Sequence, residues 1–295
     1  MRVQVPTDQQ RRLVVASNAS VAVEGVAGVS VLALLGLDVT TDQSNVNCSD
    51  IAVSAQGLSV VSNAGELSIT NVRVDASAAT AADTTTRIYS ALGPVTVENL
   101  NTQDCDVEIE SGAGTTSVTL VEATASVGRS RVKVKSTSGA VYASFVTANW
   151  IDVVNADGNV FADELRTTSN KAFAGRLQVT TVAGDITLRQ LDPRGSVLVE
   201  SSSGNIRVFL KSLAFAGMYS LRSDNGNVTI RKGFYSSDAL SELPDVGDDG
   251  YLVKQGGINC NATAARSCLS FGDMQLRTRL GDIEVVLGCD TFQCG

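Results

Sequence analysis

At 295 residues, 43% hydrophobic and 18% charged, the chain is long and apolar enough to bury a substantial core, which excludes an intrinsically disordered protein. Its 23 basic and 31 acidic residues leave a net charge of −8 and a pI near 4.7, which opposes phosphate contacts, so no nucleic acid is expected as a partner. Histidine is absent, which removes Ser-His-Asp and Cys-His catalysis and leaves only scattered thiols for a zinc ion.

The chain opens on MRVQV, whose apolar alternation reads as a β-strand, and its first dozen residues hold no apolar stretch of the kind a secretory signal needs. The longest apolar run poor in glycine and charge, Val29–Leu37, is about half the ~20 residues of a membrane-crossing helix. No membrane span is expected. Val, Ser, Thr, Ala and Gly dominate over Leu, Glu and Lys, which is strand-and-turn material.

From residue 62 one phrase recurs: SNAGELSI (62–69), SALGPVTV (90–97), STSGAVYA (136–143), NADGNVFA (155–162), TVAGDITL (181–188), SSSGNIRV (201–208), SDNGNVTI (223–230) and TRLGDIEV (278–285). Each fits Ser/Thr/Asn-x-x-Gly-x-Ile/Leu/Val-x-apolar, and SGAGTTSVTL around Gly114 is a looser ninth. Short alternating stretches such as Val132–Val134, Leu177–Val179 and Val197–Val199 lie between them as partner strands. The hydroxyl or amide side chain caps a turn, and the glycine allows it a positive φ. On this pattern Ile186, Leu188, Ile206, Val208, Val228 and Ile230 point inward in register. Two short strands per repeat and no helical period predict an all-β β-solenoid, or β-helix, with coils of about 19–28 residues. One domain is expected over 1–295, with a loop insertion around 231–277; a sandwich or barrel is the alternative.

The phrase resembles that of an adhesin-type β-solenoid family of bacterial and some eukaryotic proteins over about residues 50–290. The resemblance implies right-handed stacking of the coils and supplies no catalytic residues. The cysteines, the 231–277 insertion and the want of a recognisable wall or membrane anchor depart from it.

The six cysteines are even in number and suggest pairs. Cys260 with Cys268 and Cys289 with Cys294 would close short loops and leave Cys48 for Cys105; buried free thiols are the alternative. Disulfides place the chain in an oxidising compartment, extracellular or at the cell surface. There the sequons at Asn18, Asn47, Asn227 and Asn261 are candidate glycosylation sites, although chance composition would supply a similar number.

Arg129, Arg131, Lys133 and Lys135 stand two apart, so they project from one strand face where an acidic glycan could be gripped; a solvated face is the ordinary reading. Trp150, with Tyr142, Phe145 and Phe161, could stack sugars, against the plainer reading of core filling. The residues after the repeat glycines form a mixed polar set, read as solvated turns, and DVGDDG (245–250) reads as an acidic loop rather than a calcium site. No cofactor and no catalytic residue is expected.

The leading expectation is a non-enzymatic extracellular structural protein that polymerises end to end into a fibre or coat. Met1, Arg2, Val3, Gln4, Val5 and Pro6 would be donated as a strand to the next copy. The rivals are an adhesin that recognises glycan or protein and, more distantly, a carbohydrate-active enzyme.

Overall fold

The computed structural model describes residues 2–3, 12–25, 32–54, 56–76, 84–125, 130–169, 174–211, 213–233, 236, 238–243, 252–260 and 272–288. These form β-strands and turns with no helix, and the fold is a β-solenoid. The chain divides into two compact units, 1–152 and 153–295.

In the first unit one sheet holds β1 (Arg2–Val3), β3 (Val21–Glu24), β4 (Leu32–Leu34), β6 (Val46–Ser54), β8 (Leu67–Asp75), β10 (Val95–Gln103), β12 (Thr116–Thr124) and β14 (Val141–Ala148). The other holds β2 (Arg12–Ser17), β5 (Gly36–Thr41), β7 (Leu58–Ser62), β9 (Thr85–Ser90), β11 (Asp106–Ser111) and β13 (Arg131–Ser138). Pairing within both is parallel, each strand meeting its counterpart one coil away: Val46 pairs with Leu67, Leu67 with Val95, Val95 with Thr116 and Thr116 with Val141. The run Val29–Leu37 contributes β4 and the start of β5, so it is strand rather than helix where it is described.

The nine-residue strands β6, β8, β10 and β12 each contain a corner. Asp50, Asn71, Asn99 and Leu120 adopt φ of 53–55°, and the inward alternation slips by one residue there. Buried residues therefore fall at 46, 48, 51 and 53 in one coil and at 67, 69, 72 and 74 in the next. Asn99 donates to Asn71 (2.8 Å) and Asn71 to Asp50 (3.1 Å), tying successive corners together. Asn and Asp suit a left-handed corner because their short polar side chains bond locally.

β15 (Trp150–Asp157) carries the division between the units. The second unit then contains β16 (Val160–Thr167), β17 (Gly175–Ala183), β18 (Ile186–Leu191), β19 (Gly195–Ser203), β20 (Ile206–Leu210), β21 (Gly217–Asn225) and β22 (Val228–Lys232). It ends with β23 (Leu240–Glu242), β24 (Leu252–Ile258), β25 (Asp273–Leu280) and β26 (Ile283–Leu287). Its coils do not follow chain order. One sheet runs β16-β18-β20-β26-β22 and the other β17-β19-β25-β21-β24-β23, so the last strand pair lies between two earlier coils.

The insertion expected around 231–277 is thus only partly loop: it carries β23, β24 and the start of β25. β24 pairs antiparallel with β21, and β23 antiparallel with β24. Ile186, Leu188, Ile206 and Val208 stack in register and are buried. Val228 and Ile230 stack on Ile283 and Val285 rather than on the coil that precedes them in sequence.

Candidate functional site

The repeat phrase builds the coil corner. Ser111 Oγ accepts the N–H of Gly114 (2.9 Å) and reaches the carbonyl of Gly93 one coil below (3.1 Å); Ser90 does the same for Gly93 (3.0 Å) and Gly65 (3.0 Å). These hydroxyls are buried, and two partners each satisfy them. In the second unit the same ladder joins Ser201 to Gly184 (3.2 Å), Thr278 to Gly204 (3.0 Å) and Ser223 to Gly281 (2.8 Å).

The glycines are required by close approach as well as by φ. A Cβ on Gly93 would collide with the Gly65 carbonyl, one on Gly204 with Gly184, one on Gly281 with Gly204 and one on Gly226 with Gly281. Among the glycines of the repeat phrase, positive φ occurs at Gly139 in the first unit and at Gly158, Gly184, Gly204 and Gly281 in the second.

The residues after the glycines are exposed or, at Ala140 and Asn205, half-buried, but in the second unit they are not simply solvated. The N–H groups of Asp185, Asn205, Asp282 and Asn227 donate in turn to the side-chain oxygens of Asn159 (2.9 Å), Asp185 (2.8 Å), Asn205 (2.9 Å) and Asp282 (2.7 Å). Hydroxyl, glycine and amide-carboxylate ladders all give the same coil order, 204, 281, 226.

The basic stripe is neutralised within its own unit. β13 lies beside β11 with Lys133 opposite Glu108 and Lys135 opposite Glu110, and ion pairs close at 2.7 and 2.6 Å. Lys133 holds the Glu108 carboxyl below its ordinary pKa, and Glu110 holds the Lys135 ammonium above its own, each chiefly through the hydrogen bond. Arg131 bonds Asp152 at 2.7 Å and lies 4.7 Å from the centre of the Trp150 ring. Trp150 is half-buried under that guanidinium. Arg129 lies outside the described residues. Tyr142, Phe145 and Phe161 are exposed, which overturns the core-filling reading: inward positions alternate with theirs, and Phe145 sits at a left-handed corner with φ 55°.

The expected Cys48–Cys105 disulfide is absent: both cysteines are free and buried. Cys48 aligns with Ile69 and, one coil further, Ile69 with Val97, whereas Cys105 follows the far end of the strand that carries Val97. That separation exceeds the reach of a disulfide. Burial pushes the Cys48 thiol up to about 12 and raises that of Cys105. Cys268, Cys289 and Cys294 lie outside the described residues, and with them the pairs expected with Cys260 and within the C-terminus.

Asn18, Asn47 and Asn227 are exposed, whereas Asn261 lies outside the described residues, as does DVGDDG. Arg2 and Val3 pair parallel with Ala22 and Val23 of their own chain; Met1, Gln4, Val5 and Pro6 lie outside the described residues. Nor is GDIEVVLG a free edge, because β26 is paired on both sides.

The order of coils in the second unit also creates a groove that the sequence did not disclose. An open depression of about 540 Å³ is lined by Thr180, Glu200, Arg222, Asp224, Arg277 and Arg279, among others. Arg277 lies 3.6 Å from Glu200, and Arg222 3.1 Å from Asp224. Only the placement of β25 beside β21 brings these arginines together, and no local motif marks it. Among the described residues no cluster of three or more His, Cys, Asp or Glu could hold a metal ion.

The Toastrack DUF4097 family matches residues 90–245, just over half of the chain. No curated protein and no solved structure matches significantly. The matched span covers repeat corners of both units, from Ser90 to the turn around Gly226, and the chain belongs to the Toastrack DUF4097 family.

Proposed function

We propose that the protein is an extracellular structural subunit of a fibre or surface coat, assembled end to end and without enzymatic activity. The observation that carries this reading is the commitment of side chains to stacking. Hydroxyls, glycines and amide or carboxylate groups at the corners are spent on joining coil to coil, and the basic stripe that a ligand would need is paired with Glu108, Glu110 and Asp152. The exposed sequons at Asn18, Asn47 and Asn227 suit a glycosylated surface protein. A second reading, an adhesin for an acidic glycan, draws on the groove with Arg222, Arg277 and Arg279. Negative-stain microscopy of the purified native protein tests both. Filaments or ordered sheets are expected; isolated particles at high concentration would sink the structural reading and leave the binding one.

A further inference from the structure

We propose that the slot between β19–β20 and β21–β22 is a strand-exchange site, filled by Asp273–Leu287 of the same chain or of a second copy, so that two copies pair by trading these strands. The inference goes beyond the fibre reading and does not rest on it.

The slot is defined on four edges. β25 is bonded to β19 on one side and β21 on the other, and β26 to β20 and β22. Withdrawing the pair would bare all four edges, which are templates for another strand. The corner of the wall would be orphaned too, because Gly204 and Ile206 donate their N–H groups to Leu280 and Asp282 of the filler. The filler in turn buries Met274, Leu276, Ile283, Val285 and Leu287.

Recognition is specified by the corner rather than by connectivity. Thr278, Gly281 and Asp282 supply the hydroxyl, the glycine and the carboxylate, the last accepting the Asn227 N–H, that the wall's ladders require, and they do so from any copy of this chain. Both walls precede the filler in sequence, Ile206 by 77 residues and Val228 by 55. During synthesis the walls therefore emerge before their own filler, and a neighbouring copy's filler offers them identical contacts. The closed and exchanged forms share every contact in the slot, so protein concentration and the connecting chain decide between them.

The test uses Arg207 and Glu284, register partners on β20 and β26 whose charged groups lie 4.0 Å apart at the surface. Neighbouring strands stand about 4.8 Å apart, within disulfide range. Full-length Arg207→Cys, and Glu284→Cys carrying an N-terminal size tag, are unfolded together, refolded over a range of concentrations and oxidised. A covalent product of the combined mass is expected from the mixture, increasing with concentration and exceeding what either variant gives when refolded alone. The single variants also account for the native cysteines. A mixture that gives no combined-mass product above that background, while a single chain carrying both substitutions closes its own crosslink, would overturn the proposal.

Discussion

In the first unit successive coils follow the chain, Val46 on Leu67 on Val95 on Thr116, whereas in the second Ile283 sits between Ile206 and Val228. Both units use one corner phrase, but they close it differently. Gly65, Gly93 and Gly114 turn their N–H groups onto the hydroxyl of their own Ser62, Ser90 and Ser111. Gly158, Gly184, Gly204 and Gly281, all with positive φ, donate instead to carbonyls of the adjacent coil, at Ala183, Ser203, Leu280 and Asn225. A corner completed from within tolerates its neighbour; a corner completed by its neighbour depends on it. The stacking rule therefore specifies the chemistry of the next coil and is indifferent to where in the chain that coil comes from.

The largest test of this contrast is at the glycines. Gly281→Ala sets a Cβ against the Gly204 carbonyl and forces an alanine to φ +144°, so collision and backbone strain add. A loss of about 3 kcal/mol or more is expected in urea unfolding. Gly114→Ala meets the Gly93 backbone at 2.5 Å without a left-handed φ and should cost less. Equal losses would mean that overlap alone governs the corner, and a loss at Gly281 below about 1 kcal/mol would mean that the inserted coil is not locked in place.

The serines separate the two corners by a smaller margin. Ser111→Ala removes the acceptor of the Gly114 N–H together with a donor to Gly93, leaving buried groups unpaired at about 1–3 kcal/mol. At Ser201 the N–H of Gly204 is held by Leu280, so Ser201→Ala gives up the bond to Gly184 and should cost about 1 kcal/mol. The difference between these variants in denaturant midpoint, rather than either value, carries the argument. Identical losses would erase the distinction between self-closed and neighbour-closed corners.

Much of the coil was legible in the chain because its determinants are local. Ser-x-x-Gly-x-Ile-x-Val marks the turn and the first two inward positions, and alternation marks the partner strand. The corner at Asp50, Asn71 and Asn99 was not, because its signal is a one-residue slip in alternation inside an otherwise continuous strand, and Leu120 and Phe145 occupy it without a turn-forming side chain. Coil order was illegible for a different reason. Gly204 and Gly226 stand 22 residues apart, a normal repeat, so nothing local reveals that Gly281 separates them. Arg131, Lys133 and Lys135 do share one strand face, as their spacing implies, but the neutralisation of the two lysines depends on Glu108 and Glu110, 25 residues earlier, and on the register. The Cys48–Cys105 pairing failed on the same point, since counting thiols carries no information about which coil position each one occupies.

The smallest effect expected comes from the charged rows, and it also divides the units. Lys133–Glu108 and Lys135–Glu110 close at 2.7 and 2.6 Å, while Arg277–Glu200 in the second unit, register partners too, stands at 3.6 Å. Partly exposed pairs of this kind contribute about 0.2–1 kcal/mol each. Glu108 has a lowered pKa in the folded chain, so its contribution is present at neutral pH and shrinks as pH falls through the ordinary glutamate range and on past the folded value. Lys135 has a raised pKa, so its contribution is complete below the ordinary lysine value and is lost as pH rises through the folded one. Glu108→Gln should therefore lower stability slightly at pH 7 and match the parent protein at acid pH, whereas Glu110→Gln should remove part of the alkaline limb. In 1 M salt both differences should contract, because screening acts on the exposed part of each pair. Thermal midpoints measured across pH at low and high salt give the answer. A Glu108→Gln difference that persists unchanged into acid would mean that the side chain acts through packing rather than charge, and Glu200→Gln should show a smaller neutral-pH loss than either if the shorter ion-pair distances of the first unit are what give its pairs their value.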